Sequence, residues 1–201
     1  MRIHAHLFHG DRAGAFHGRR SRFYNLVATR LLRRVYRRLA QDIAELAPPG
    51  AAVLDIGTGP GVLLAELARL RPDLALTGID PSEDMVAAAR RNLAPYGDRA
   101  TVQVGDASHL PLADRSFDLV VSSFSLHHWD DPQAAAPELA RVLRPGGRVH
   151  IYDFRFAPFD ELTAATQARS VLTAQPPQQT PVRIAIRPLP RCIRYTMAAE
   201  I

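Results

Sequence analysis

Apolar positions along this chain fall into two rhythms that alternate. Short runs rich in Val, Ile and Leu predict strands at residues 51–56, 74–79, 100–104, 117–122 and 148–152. Between them, apolar residues at spacings of three and four predict helices at 62–70, 82–93 and 132–143. Ser82 ahead of Glu83 and Asp84 makes a strong helix start, with a capping hydroxyl and acids in the first turn. Arg144-Pro145-Gly146-Gly147 ends the third helix. Strand–helix alternation implies a parallel sheet with right-handed crossovers. The pattern then changes. Residues 160–172 predict a helix and 175–180 a polar loop. Residues 182–186 and 193–198 predict two strands joined by a short Pro-containing connection, hence an antiparallel pair.

Ahead of the first strand, residues 20–47 predict a helix. Leu32, Val35, Tyr36, Leu39, Ile43 and Leu46 form its apolar side, and Pro48-Pro49-Gly50 stops it. Arg33, Arg34, Arg37 and Arg38 fill much of the rest. That basic side has two readings: a solvated face of a packed helix, or a weak docking surface for anionic lipid. The stop divides a basic helical arm, 1–48, from a main domain, 49–201. Residues 1–18 show no periodicity. His4, His6, His9 and His17 match no zinc spacing and have no cysteine beside them, so an irregular polar tail is expected and no metal.

Composition narrows the classes. Hydrophobic content of 47% with 22% charged residues is globular and excludes a disordered chain. Cys192 is the lone cysteine, so no internal disulfide forms, which fits a reducing cytoplasm. No apolar run spans a bilayer, and residues 1–14 lack the apolar core of a signal peptide. The net charge is +5 and every basic residue is arginine. The surplus sits in the first fifty residues, where ten arginines face Asp11, Asp42 and Glu45; the remainder is slightly acidic. A nucleic-acid reader would spread its basic residues over the reading surface, so nucleic acid is not an expected partner.

The chemistry concentrates in residues 53–61, V-L-D-I-G-T-G-P-G. A strand, a glycine turn and a helix start bring backbone amides against a nucleotide-like ligand. The spacing of Gly57, Gly59 and Gly61 is G-x-G-x-G, with Val62 where a dinucleotide fold places its third glycine. Asp80 and Asp106 close strands two and three. A carboxylate at Asp80 suits a ribose diol. One at Asp106 suits an exocyclic amine such as N6 of adenine, with the Ala107 N–H donating to a ring nitrogen.

Four segments carry a family resemblance: VLDIGTGPG at 53–61, GIDPSEDM at 78–85, GDASHLPLADRSFDLVVSSFSLHHW at 105–129 and LRPGGRVHIYDF at 143–154. The chain resembles the class I S-adenosylmethionine-dependent methyltransferases, in the small-molecule type 11 group that includes the ubiquinone and menaquinone methyltransferases. The resemblance implies an α/β, Rossmann-like sheet of seven strands in the order 3-2-1-4-5-7-6, strand seven antiparallel, with helices on both faces. It implies that Gly57, Thr58, Gly59 and Gly61 underlie the methionine part of S-adenosyl-L-methionine. Asp55 orders that loop and the cofactor's amino group. Asp80, followed by Pro81, accepts from the ribose. Met85 packs near the adenine or simply in the core. Asp106 and Ala107 read the adenine edge, and Ser123 lies on the sulfonium side. Tyr24, beside Phe23, covers cofactor or substrate, or else packs on the sheet edge.

Methyl transfer from a sulfonium is an in-line displacement that needs alignment and a nucleophilic acceptor. His127 and His128 follow strand four, and Asp153 closes its neighbour, strand five. His127 is the expected base, Asp153 its orienting partner and His128 a substrate contact. A structural His-His-Trp turn is the alternative. Only residues 154–181 separate strand five from the last strand pair, so the acceptor-binding part is small, or borrowed from the arm or from a second copy in a homodimer. The expected function is cytoplasmic methylation of a small organic acceptor at oxygen or carbon. The alternatives are quinone methylation at a membrane surface, an NAD-dependent oxidoreductase, and a non-catalytic cofactor-binding subunit.

Overall fold

The computed structural model describes residues 33–169, 172, 178–182 and 192–198. Tyr24, Phe23, His4, His6, His9 and His17 lie outside the described residues, as does the predicted helix before Arg33.

The sheet has seven strands in the order β3-β2-β1-β4-β5-β7-β6. They are β1 (Ala52–Ile56), β2 (Ala75–Asp80), β3 (Ala100–Val104), β4 (Phe117–Ser123), β5 (Leu143–Phe154), β6 (Gln178–Val182) and β7 (Cys192–Ala198). β1 to β5 pair in parallel, and β7 runs antiparallel to both β5 and β6. This is the architecture the resemblance implies.

Side chains alternate across each strand and supply two apolar layers. Val53, Leu119 and Val121 face one layer; Leu54, Ile56, Val120, Val149 and Ile151 face the other. The first layer takes in α1 (Arg33–Leu46), α2 (Val62–Leu70) and α3 (Glu83–Leu93). The second takes in α4 (Pro132–Val142) and α5 (Phe159–Arg169). Local chemistry starts the helices. Ser82 accepts from the Met85 N–H at 3.4 Å, and Asp131 accepts from Ala134 N–H at 2.9 Å ahead of Pro132.

Helix α1 belongs to this core. Val35, Tyr36, Leu39, Ala40 and Ile43 are buried in the first layer. Removing a buried leucine side chain such as Leu39 costs about 2–5 kcal/mol. At the C-terminal end of α1, the Arg71 guanidinium donates to the carbonyls of Ala44, Ala47 and Pro48 at 2.6, 3.1 and 3.1 Å. The basic side of α1 is only partly free. Arg33 and Arg37 turn to the buried Glu66 of α2, which Arg69 also reaches. Arg34 and Arg38 stand exposed. No helix among the described residues is long and apolar enough to cross a membrane.

Two elements differ from expectation. β5 begins at Leu143, not Arg148. Leu143 pairs with Phe117 and Arg148 with Leu119, so the Arg144–Gly147 segment is an irregularity inside the strand, bent at Gly146 with φ 76°. β6 occupies Gln178–Val182, where a polar loop was expected over 175–180. Its cross-strand bonding to β7 overrides its polar composition. Of the strand expected at 182–186, residues 183–186 lie outside the described residues.

Candidate active site

Gly57, Gly59 and Gly61 follow β1 with φ of 71°, 54° and 73°, a backbone region that glycine alone enters without cost. The turn is tied to β2: Gly57 N–H and Thr58 N–H both donate to the Ile79 carbonyl, at 2.9 and 3.0 Å. Gly57 has a second constraint. A Cβ there would lie 2.4 Å from both Cβ and Oγ of Ser125. Ser125 is a hub that the sequence reading missed. Its hydroxyl donates to the Ile56 carbonyl at 3.0 Å, bonds Ser122 Oγ at 2.6 Å and accepts from the Trp129 indole at 3.1 Å. It fixes the β4 exit against the glycine turn. Periodicity carries no trace of this, since Ser125 lies beyond the strand.

Asp55 is fully buried, and among the described residues neither of its carboxylate oxygens has a hydrogen-bond partner. Burial pushes its carboxyl up to about 7. The Thr58 hydroxyl lies near enough to oppose this without reaching hydrogen-bond geometry, and the charge of Asp80 adds to the rise. A buried partnerless carboxylate is costly, and a cationic ligand group beside the turn would offset that cost. Asp80 is itself buried. Its Oδ2 accepts from Gly59 N–H at 2.8 Å and its Oδ1 from Ser82 N–H at 3.0 Å. Burial raises its pKa against those two donors. Each oxygen keeps a further lone pair, so Asp80 braces the turn and can still accept from a diol.

The tips of β2 and β3 adjoin: Gly105 N–H donates to the Asp80 carbonyl at 3.2 Å. Asp106 follows, exposed, with its Oδ1 accepting from Ser108 N–H and hydroxyl at 2.7 and 2.5 Å. Ala107 is buried beside it. Met85 is buried at the start of α3, next to Ser82. Pro81 is exposed between Asp80 and Ser82. Ser123 is buried at the end of β4.

His127 sits on a single turn, Leu126–His128, after β4. Its Nδ1 lies 2.8 and 3.0 Å from the two oxygens of Asp153, and its backbone N–H donates to Oδ2 at 3.2 Å. Asp153 is fully buried and also accepts from Phe154 N–H at 2.7 Å. A carboxylate only accepts, so Nδ1 carries a proton, and in the neutral imidazole Nε2 is the accepting nitrogen. That Nε2 is buried and has no hydrogen-bond partner among the described residues. His128 is exposed, its ring 4.0 Å from that of His127. Phe124 holds a φ of 54°, rare for an aromatic residue. Its N–H donates to the Tyr152 carbonyl at 2.8 Å, and its ring meets Tyr36 at 6.1 Å and Phe154 at 5.1 Å. Strain fixed this firmly clusters at functional sites.

Comparison with known proteins agrees with the geometry. Residues 54–151 match the methyltransferase domain family. The chain is 36% identical over 146 residues to a ubiquinone/menaquinone biosynthesis C-methyltransferase of Geotalea daltonii, covering 70% of this chain and 62% of that one. It is 40% identical over 125 residues to the 27-O-demethylrifamycin SV methyltransferase of Amycolatopsis mediterranei, covering 60% and 46%. The chain thus spans about half to three fifths of these curated relatives. A crystal structure of an S-adenosyl-L-methionine-dependent methyltransferase from Methanococcus maripaludis superposes with a TM-score of 0.73 at 20% identity, over 96% of this chain and 98% of that one, and shares the fold.

The methyl donor of class I methyltransferases is S-adenosylmethionine, and the residues present fit it. Among the described residues Asp55 is a buried carboxyl without a hydrogen-bond partner, beside a turn that tolerates no side chain at Gly57. Asp80 and Asp106 stand at adjoining strand tips, where open α/β sheets bind ligands. By its sheet order, its glycine turn and its matched residues, the chain belongs to the class I S-adenosylmethionine-dependent methyltransferases.

Proposed function

We propose that this protein transfers a methyl group from S-adenosylmethionine to a small organic acceptor at oxygen or at an acidic carbon, with His127 as the base. The observation that carries this reading is the geometry of His127: Nδ1 is committed to Asp153, and Nε2 is buried with no hydrogen-bond partner among the described residues. Asp55, Thr58 and the Gly57–Gly61 turn would hold the methionine end, Asp80 the ribose, and Asp106 with Ala107 the adenine edge. Bound S-adenosylmethionine supplies an electrophilic methyl on sulfonium, and its displacement leaves a neutral thioether. No acid is then needed for the leaving group. His127 Nε2 takes the acceptor's proton, and Asp153 stabilises the imidazolium that results. A nucleophile with a pKa near neutrality would need alignment alone, so the dyad points to hydroxyls and carbon acids. Relatives named for C- and for O-methylation are consistent with either atom.

The test is incubation of the full chain with methyl-labelled S-adenosylmethionine and a metabolite extract, read by mass spectrometry. Label in a hydroxyl or carbon-acid product is the expected result. Thermal stabilisation by NAD and not by S-adenosylhomocysteine, with no label transferred, would overturn the reading.

A further inference from the structure

Among the described residues, two large apolar side chains stand exposed, Val104 and Phe156. Val104 ends an edge strand. Phe156 is 58% exposed and lies on the turn that leaves β5. Its position is not incidental. The Phe156 ring stacks on the buried Phe154 at 5.4 Å with an interplanar angle of 23°. Phe154 in turn meets Phe124 at 5.1 Å. The His127 ring flanks the same stack, 5.7 Å from Phe154 and 5.9 Å edge-on to Phe156. The tier of rings therefore runs from the core to an outer ring that water meets, with the unpartnered Nε2 alongside. Leaving a phenylalanine largely in water forgoes most of the gain of burying it. A flat π surface on Phe156 would recover that gain and continue the stack.

We infer that Phe156 is the stacking platform of the acceptor site, and that the acceptor is a planar aromatic bearing an ionisable hydroxyl or an activated ring carbon. This deepens the methyl-transfer reading and rests on it. The acceptor ring lies on Phe156, and its acidic proton faces His127 Nε2. For a phenol, the O–H proton passes to Nε2, the oxygen pair forms the bond to the methyl carbon, and the carbon–sulfur pair stays on sulfur. The platform sets which acceptors bind; the dyad sets whether they react.

The two roles separate experimentally. The full chain, saturated with S-adenosylhomocysteine, is titrated calorimetrically with 2-naphthol and with its saturated counterpart decahydro-2-naphthol. The aromatic compound should bind roughly tenfold tighter, the value of one good aromatic pair. Phe156→Leu should erase that preference, and Phe156→Trp should keep it. His127→Gln should leave 2-naphthol affinity in place while lowering turnover. Equal affinity for the two compounds overturns the inference. So does an unchanged preference in Phe156→Leu. If Phe156→Leu instead converts an oligomer to a monomer without altering 2-naphthol binding, the ring belongs to a contact between copies and the inference fails. Absence of the aromatic preference in the wild-type chain, together with His127-dependent methyl transfer to another acceptor, sinks the platform alone. A retained preference with turnover insensitive to His127→Gln sinks the methyl-transfer mechanism alone.

Discussion

Asp153 grips His127 twice: its carboxylate accepts from the ring Nδ1 at 2.8 Å and from the backbone N–H of the same residue at 3.2 Å. The double contact fixes both where the turn sits and which ring nitrogen is free. Asp153→Asn would present an amide N–H toward Nδ1 and favour the opposite tautomer, with Nε2 protonated. Turnover in Asp153→Asn should fall by about 10²–10⁴, the usual worth of a positioned base. S-adenosylhomocysteine affinity, measured calorimetrically, should stay near wild type. Equal losses of binding and turnover would place Asp153 in the scaffold instead.

With Asp55 as the contact of the cofactor's amino group, cofactor binding is expected to depend on pH. The Asp55 carboxyl, pushed up to about 7, is largely protonated in the free protein at pH 6. An ammonium group beside it favours the ionised form and lowers that pKa. Binding of S-adenosylhomocysteine at pH 6 should therefore release a proton, and affinity should weaken as pH falls below about 7. Calorimetry in buffers of different ionisation enthalpy reads the proton directly. Asp55→Asn should abolish the release; a buffer-independent enthalpy in the wild type contradicts the assignment.

The same two-sided constraint that selects glycine at position 57 gives a mutational cycle. Gly57→Ala places Cβ 2.4 Å from Ser125 Oγ in a backbone region hostile to side chains. Ser125→Gly removes the steric half of that penalty and leaves the conformational half. Gly57→Ala should lower stability and S-adenosylhomocysteine affinity, and the double variant should recover part of both. Additive losses in the cycle would show that the clash relaxes elsewhere.

How much of this was open to inspection in the chain alone depends on distance along it. The β–α alternation, the glycine turn and the Ser82 cap are written in neighbouring residues, and the sheet order followed once four segments were in register. The strand tips that carry His127 and Asp153 were legible for that reason. The β6 strand was not. Gln178, Gln179, Thr180 and Pro181 carry no apolar alternation, because an edge strand paired on one side only can remain polar and tolerate proline. Ser125 was illegible too, since its partners Ile56 and Trp129 meet it only after folding.

Asp42 ties α1 to β5 and β7. It accepts from the Tyr152 hydroxyl at 2.8 Å and from the Arg194 guanidinium at 2.7 Å. Asp42→Ala leaves a buried hydroxyl and a half-buried cation unpaired, and should cost about 2 kcal/mol of stability in urea unfolding. A change within experimental error would mean that α1 is held by its apolar face alone.

His150 predicts acid sensitivity. It is buried, with Nδ1 3.0 Å from the Thr196 hydroxyl, and burial, aided by the charges of Arg194 and Arg148 and opposed by Asp42, lowers its pKa to about 4. The unfolded chain then binds a proton that the folded one refuses between about pH 6.5 and 4. Stability from this group is present above pH 6.5 and is lost as pH falls toward 4, by about 3 kcal/mol in all. Asp55 acts in the opposite sense, since its raised pKa favours the folded state below its unfolded value, an advantage lost as pH rises toward 7. The comparison that isolates His150 is therefore wild type against His150→Gln. The difference in unfolding free energy between them should shift steadily across pH 6.5 to 4; a constant difference refutes the assignment.

The lone pair on His127 Nε2 is the centre of the account, and single-turnover methyl transfer measures it most directly. With donor and the labelled acceptor both saturating, His127→Gln should slow the transfer by about 10²–10⁴ while donor affinity holds. Transfer at the wild-type rate in His127→Gln would contradict it.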